Sequence, residues 1–68
     1  MKFDDIKNLS LQELENLLAA RYLALEVLRR YEKEILAERG RRVFEHIIND
    51  TLDDIVLIQS LIKKLDRP

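Results

Sequence analysis

The chain has 68 residues, with 12 Lys and Arg against 13 Asp and Glu, for a formal charge of −1. Apolar residues make up 47% and charged residues 37%, Cys is absent, and Gly and Pro occur once each. This leaves room for one small domain and excludes disulfide staples and Cys-containing zinc sites, Gly-rich phosphate loops and turn-dense β architectures. The near balance of charge argues against a dedicated polyanion binder. No apolar run approaches the ~18 residues of a membrane span and no signal peptide opens the chain. The expectation is a cytoplasmic, all-α protein without membrane association.

Residues 1–10 hold a short apolar-acidic piece, Phe3-Asp4-Asp5-Ile6, and then a helix start. Ser10 and Glu13 have capping-box spacing: the Ser hydroxyl takes the third helical amide and the Glu reaches back to the cap amide. Leu9 and Leu14 take the two places of a hydrophobic staple. A helix is predicted from about 11 to 39, with Leu14, Leu17, Leu18, Ala24, Leu25, Leu28, Tyr31 and Ile35 recurring on one face. Gly40 stands where a helix C-terminus favours glycine and is read as the bend of a hairpin.

A second helix is predicted over about 41–65. Phe44, Ile48, Thr51, Ile55, Ile58, Ile62 and Leu65 follow alternating steps of four and three, a heptad seam. Asn49-Asp50-Thr51 offers a competing loop, with Asp50 capping a third helix. The seam holds its register through Thr51, which favours one continuous helix. Asp66-Arg67-Pro68 suits a helix stop.

Two such helices, each about 40 Å long at 1.5 Å per residue, bury one stripe against each other. The chain carries more than one. Leu11, Ala20, Tyr22, Leu23, Val27 and Leu36 spread around the first helix, and Val43, Ile47, Leu57 and Leu61 flank the seam of the second. Leaving several large aliphatic side chains in water forfeits ~1.5–3 kcal/mol each. The expected remedy is a homodimer of hairpins forming a four-helix bundle, or a larger protein partner. The interface is expected along Leu14, Leu18, Arg21, Leu25, Leu28 and Glu32 of the first helix. On the second helix it would involve Ile48, Thr51, Ile55, Ile58, Ile62 and Leu65. Tyr22, Leu23 and Val27 of the residual stripe would contribute to recognition. Arg21, Glu32, Arg39, Thr51 and Asp54 fall on or near the apolar stripes. They are read as stems lying across the core edge or as charge pairs between helices that set register.

Chemistry-bearing residues are sparse. Glu45, His46, Asp50, Asp53 and Asp54 cluster on the second helix, with His46 and Asp50 four apart. A di-iron bundle would need Glu-x-x-His pairs aimed inward, and the corresponding positions read Asp50-x-x-Asp53. A solvated acidic face is favoured over a carboxylate/His metal site, and no cofactor is expected. Ser10 is committed to a cap and Ser60 lies in a helix body, so His46 has no nucleophile to serve and no enzyme activity is expected. Arg29, Arg30, Lys33, Arg39, Arg41 and Arg42 gather around the bend against Glu32, Glu34 and Glu38, leaving residues 29–42 at +3. Of these, Arg29, Arg30, Arg39, Arg41 and Arg42 are the candidate nucleic-acid contacts, against the plainer reading of helix-surface ion pairs. High charge with few Asn, Gln and Met fits a thermophilic source.

Leu9-Ser10-x-x-Glu13-Leu14 and Leu25-x-x-Leu28-Arg29 resemble the first helix of the small two-helix protein near the tunnel exit of the large ribosomal subunit. Asp54-Ile55-x-x-Ile58-x-Ser60 is similar to part of that family's second helix. The resemblance implies an antiparallel hairpin and a strongly basic surface for ribosomal RNA. This chain instead has balanced charge and four acids over residues 45–54, so the hairpin carries over as an expectation and the ribosomal role does not.

Overall fold

A computed structural model of the chain describes residues 1–66 and is all-helical: α1 (Phe3–Ile6), α2 (Leu11–Arg30), α3 (Glu32–Arg39) and α4 (Arg41–Leu65). Arg67 and Pro68, part of the expected helix stop, lie outside the described residues. α4 packs against both α2 and α3, and the whole is a rod with extents of 47 × 19 × 15 Å.

Local chemistry sets the start of α2. Ser10 Oγ accepts the Glu13 amide at 3.1 Å, and the Ser10 amide donates to Glu13 Oε1 at 3.0 Å. This reciprocal pair satisfies two of the amides that a helix start leaves without partners. The backbone bond from Ser10, and then its hydroxyl, hold the Glu13 carboxyl below the usual carboxylate range. Leu14 is buried one turn on, with Leu9 packed against its cluster.

The helix expected over 11–39 is divided at Tyr31, whose φ of −103° and ψ of 19° leave helical geometry for one residue. Its amide still reaches Val27 O at 3.1 Å and its carbonyl still accepts from Ile35 at 3.0 Å, so the interruption is a joint and not a loop. No Gly or Pro marks the place. Beyond the joint, α3 packs on α4 with Ile35 and Leu36 half-buried. Gly40 alone then links α3 to α4, at φ 87° and ψ 165°. That region is essentially closed to residues with a Cβ, which explains the chain's only glycine. α4 runs unbroken through Asn49-Asp50-Thr51. The Thr51 hydroxyl donates to Ile47 O at 2.9 Å, so a polar side chain on the apolar seam costs little there.

The core lies along α4, where Phe44, Ile48, Ile55, Ile58 and Leu61 are buried. Ile58 and Leu14 are the most enclosed, at 0% and 1% exposure. The seam departs from expectation at its end. Leu61, placed on a flank from the heptad pattern, is buried, whereas Ile62 is half-buried and Leu65 is 54% exposed. α1 supplies the reason: Ile6 joins Leu14, Ile58 and Leu61 in one cluster, so an N-terminal turn covers the flank that carries Leu61. A four-residue helix has no stability of its own. The Lys2 amide bonds to Asp5 Oδ2 at 3.2 Å, and Ile6 anchors the turn in the core.

Candidate functional site

α2 and α4 leave a shallow apolar groove of about 540 Å³ on one side of the rod. Ala20, Leu23, Ala24, Val27 and Leu28 line it from α2, and Ile47 and Thr51 from α4. The residues recur at three and four along each helix, which places them on one stripe beside the packed seam. Leu23 and Val27 form its outer ridge, 61% and 42% exposed. The small Ala20 and Ala24 leave a hollow beside that ridge. The one hydroxyl in the lining, that of Thr51, already donates to Ile47 O, so the groove offers no free polar handle. It can bury apolar surface. α1 covers the same flank of α4 further along, at Leu61, and leaves the stretch around Ile47 open.

Of the residues expected to face a partner, Leu14, Ile48, Ile55 and Ile58 are buried inside this single chain. Leu18, Arg21, Leu25, Leu28, Glu32, Thr51 and Ile62 are half-buried, and Leu65 is exposed. The seam is consumed by the fold, and the open apolar surface lies one stripe over, with Leu28 and Thr51 shared between the two. Leu23 and Val27 sit in the groove. Tyr22 faces elsewhere, its phenol oxygen accepting from Gln59 Nε2 at 2.7 Å. Leu52 and Val56 are further exposed apolar residues of α4 outside the groove.

Of the polar residues near the stripes, Arg21, Glu32, Thr51 and Asp54 are used within the chain, while Arg39 is exposed. Arg21 Nε lies 3.3 Å from Asp54 Oδ2, and the Met1 amino nitrogen is 3.3 Å from Asp54 Oδ1. Among the described residues Arg21 Nε is nevertheless without a hydrogen-bond partner: the pair is close enough for charge attraction but not aligned as a hydrogen bond. Glu32 pairs with Arg29 at 3.5 Å.

At the bend, Arg29, Arg30 and Arg41 each have a carboxylate neighbour on their own side of the rod: Glu32 at 3.5 Å, Glu26 at 3.2 Å and Glu45 at 3.9 Å. Among the described residues, Arg39 and Arg42 make no ion pair. On α4 the acids diverge. Asp50 Oδ2 is 3.5 Å from His46 Nε2 on an exposed face, while Asp54 turns inward to Arg21. Among the described residues no group of three or more His, Asp or Glu side chains converges to hold a metal ion. Ser60 donates to Val56 O at 2.9 Å. Among the described residues no helix is long and apolar enough to cross a membrane. No protein-family model, curated protein or solved structure matches the chain.

Proposed function

We propose that the chain is an antiparallel two-helix hairpin that works by association, through self-association or a protein partner, with no catalytic site of its own. The order of contacts along the helices supports the hairpin. Early α2 meets late α4, with Leu14 in one cluster with Ile58 and Leu61. Arg21 then meets Asp54, and Leu28 shares a groove with Ile47 and Thr51. It is also the arrangement that the resemblance to the tunnel-exit protein implies.

The apolar groove carries the functional reading. Its seven lining residues sit outside the buried core, and water gains nothing from them. Exposed apolar surface of this kind is the mark of a surface that another chain covers. Two matched double variants test it: Leu23→Gln with Val27→Gln in the groove, and Leu52→Gln with Val56→Gln outside it. The groove pair should abolish association, read as solution mass and as capture of protein from the native extract, with helix content unchanged. The outside pair should leave both readouts intact. Equal behaviour of the two variants sinks the reading.

A second reading, a nucleic-acid contact at the bend, is favoured by one observation, that Arg39 and Arg42 have no ion-pair partner among the described residues. Binding through them would weaken steeply as salt is raised, and less steeply once both are Ala. No binding at low salt removes it.

A further inference from the structure

We propose that the occupant of the groove is a second copy of the same chain, seated end for end about a two-fold axis between Leu23 and Ala24. This rests on the association reading above and adds the identity, face and direction of the partner.

Exposed area points to a second copy. The chain exposes 5397 Å², whereas a compact monomer of 8.1 kDa exposes about 4500 Å². The surplus, roughly 900 Å², matches the ~800 Å² that each partner contributes to a stable pair. The Cα radius of gyration agrees, at 13.9 Å against about 11 Å for a compact domain of this length. An elongated chain has this surface to cover, and a copy of it brings the same apolar groove to the contact.

The shape of the groove fits a copy of itself. Along α2, Ala20 and Val27 are equidistant from the midpoint between Leu23 and Ala24. An antiparallel two-fold through that midpoint sets Val27 against the partner's Ala20 and Leu23 against the partner's Ala24. Each ridge residue thus meets a hollow, and the symmetry repeats the fit on the other side. A parallel arrangement sets Val27 on Val27 and Ala20 on Ala20, ridge on ridge and hollow on hollow.

Charge favours the same direction. Residues 29–42 carry +3 and form one end of the rod. The end-for-end arrangement keeps the two basic ends apart by most of the 47 Å length, several times the ~8 Å screening length at physiological salt. A parallel arrangement puts them side by side.

The chain has no Cys, so single substitutions report the geometry cleanly. In the proposed pair, residue 27 faces the partner's residue 20, and like residues sit roughly 10 Å apart along the axis, beyond the ~7 Å that a disulfide spans. Ala20→Cys mixed with Val27→Cys should therefore form a disulfide-linked pair roughly tenfold faster than either variant alone. The wild-type chain should sediment at twice its mass at micromolar concentration, and Leu23→Lys with Val27→Lys should restore the single-chain mass at unchanged helix content. Cross-linking of either variant alone as fast as the mixture overturns the orientation. Wild-type protein at single-chain mass overturns the second copy. If groove-dependent capture of another protein persists in that case, the association reading stands without it, and if capture is absent as well, both fall.

Discussion

Protonation of Glu13 bears on the start of α2. Its carboxyl is held below the usual range by the Ser10 amide and hydroxyl, so the ionised form is favoured in the folded helix. The sign follows. The contribution is fully present above the ordinary carboxylate pKa and is lost as pH falls through the lowered folded value. Acidification should fray the first turn of α2, seen as a lower protection factor for the Ser10 amide that bonds the Glu13 carboxylate and for residues 11–14, and Glu13→Gln should flatten that response. Gly40 is constrained for a different reason. Nothing lies within 4 Å of a Cβ added there, so only the backbone at φ +87° resists substitution. Gly40→Ala should cost about 1–3 kcal/mol in urea unfolding, and Gly40→Asn should not rescue it, because ψ of 165° lies outside the left-handed helical region that Asn tolerates. Both sites are legible in the amino-acid order, one through spacing and one through rarity.

At the scale of elements, the smallest helix has the largest unexpected role. α1 reads locally as a short acidic piece, yet Ile6 is 3% exposed in the cluster with Leu14, Ile58 and Leu61. Ile6→Ala should therefore destabilise the fold by about 2–4 kcal/mol, whereas Phe3→Ala, on a half-exposed side chain, should cost under about 1 kcal/mol; thermal unfolding of the two variants decides it. Equal effects would mean that α1 is not docked. The joint at Tyr31 belongs to this scale too. Propensity predicts an unbroken helix because no residue near 31 disfavours one, and the departure goes with the packing of α3 on α4. The α2–α4 contact also holds the Arg21–Asp54 pair, partly exposed and poorly aligned. A double-mutant cycle through Arg21→Ala and Asp54→Ala should give a coupling of no more than about 1 kcal/mol, lower in high salt.

For the whole molecule the governing quantity is surface. A chain this small hides little of its apolar area by folding alone, and an elongated rod hides less. If a second copy completes the burial, stability and concentration are linked. The thermal midpoint of the wild-type chain should then rise by a few degrees per tenfold increase in concentration, and the midpoint of Leu23→Lys with Val27→Lys should not move. The excess of apolar residues was legible from the two helical patterns, including Leu23 and Val27. So was most of the inward stripe: Leu14, Phe44, Ile48, Ile55 and Ile58 are buried where the periodicity places them, and Leu23 and Val27 lie outside it. Periodicity reports that residues share a face and does not say which flank residues find cover: of the flank of α4, Leu61 is buried while Ile47 lines the groove.

Helix formation, the Ser10–Glu13 cap, the glycine link at residue 40 and the continuity of α4 follow from local order alone, because each depends on groups within one turn of the chain. Long-range contact decided the rest: the burial of Leu61 under Ile6, the turning of Asp54 toward Arg21, and which of the flanking apolar residues stay uncovered. Those outcomes depend on the distance and angle between helices, which a one-dimensional pattern does not encode.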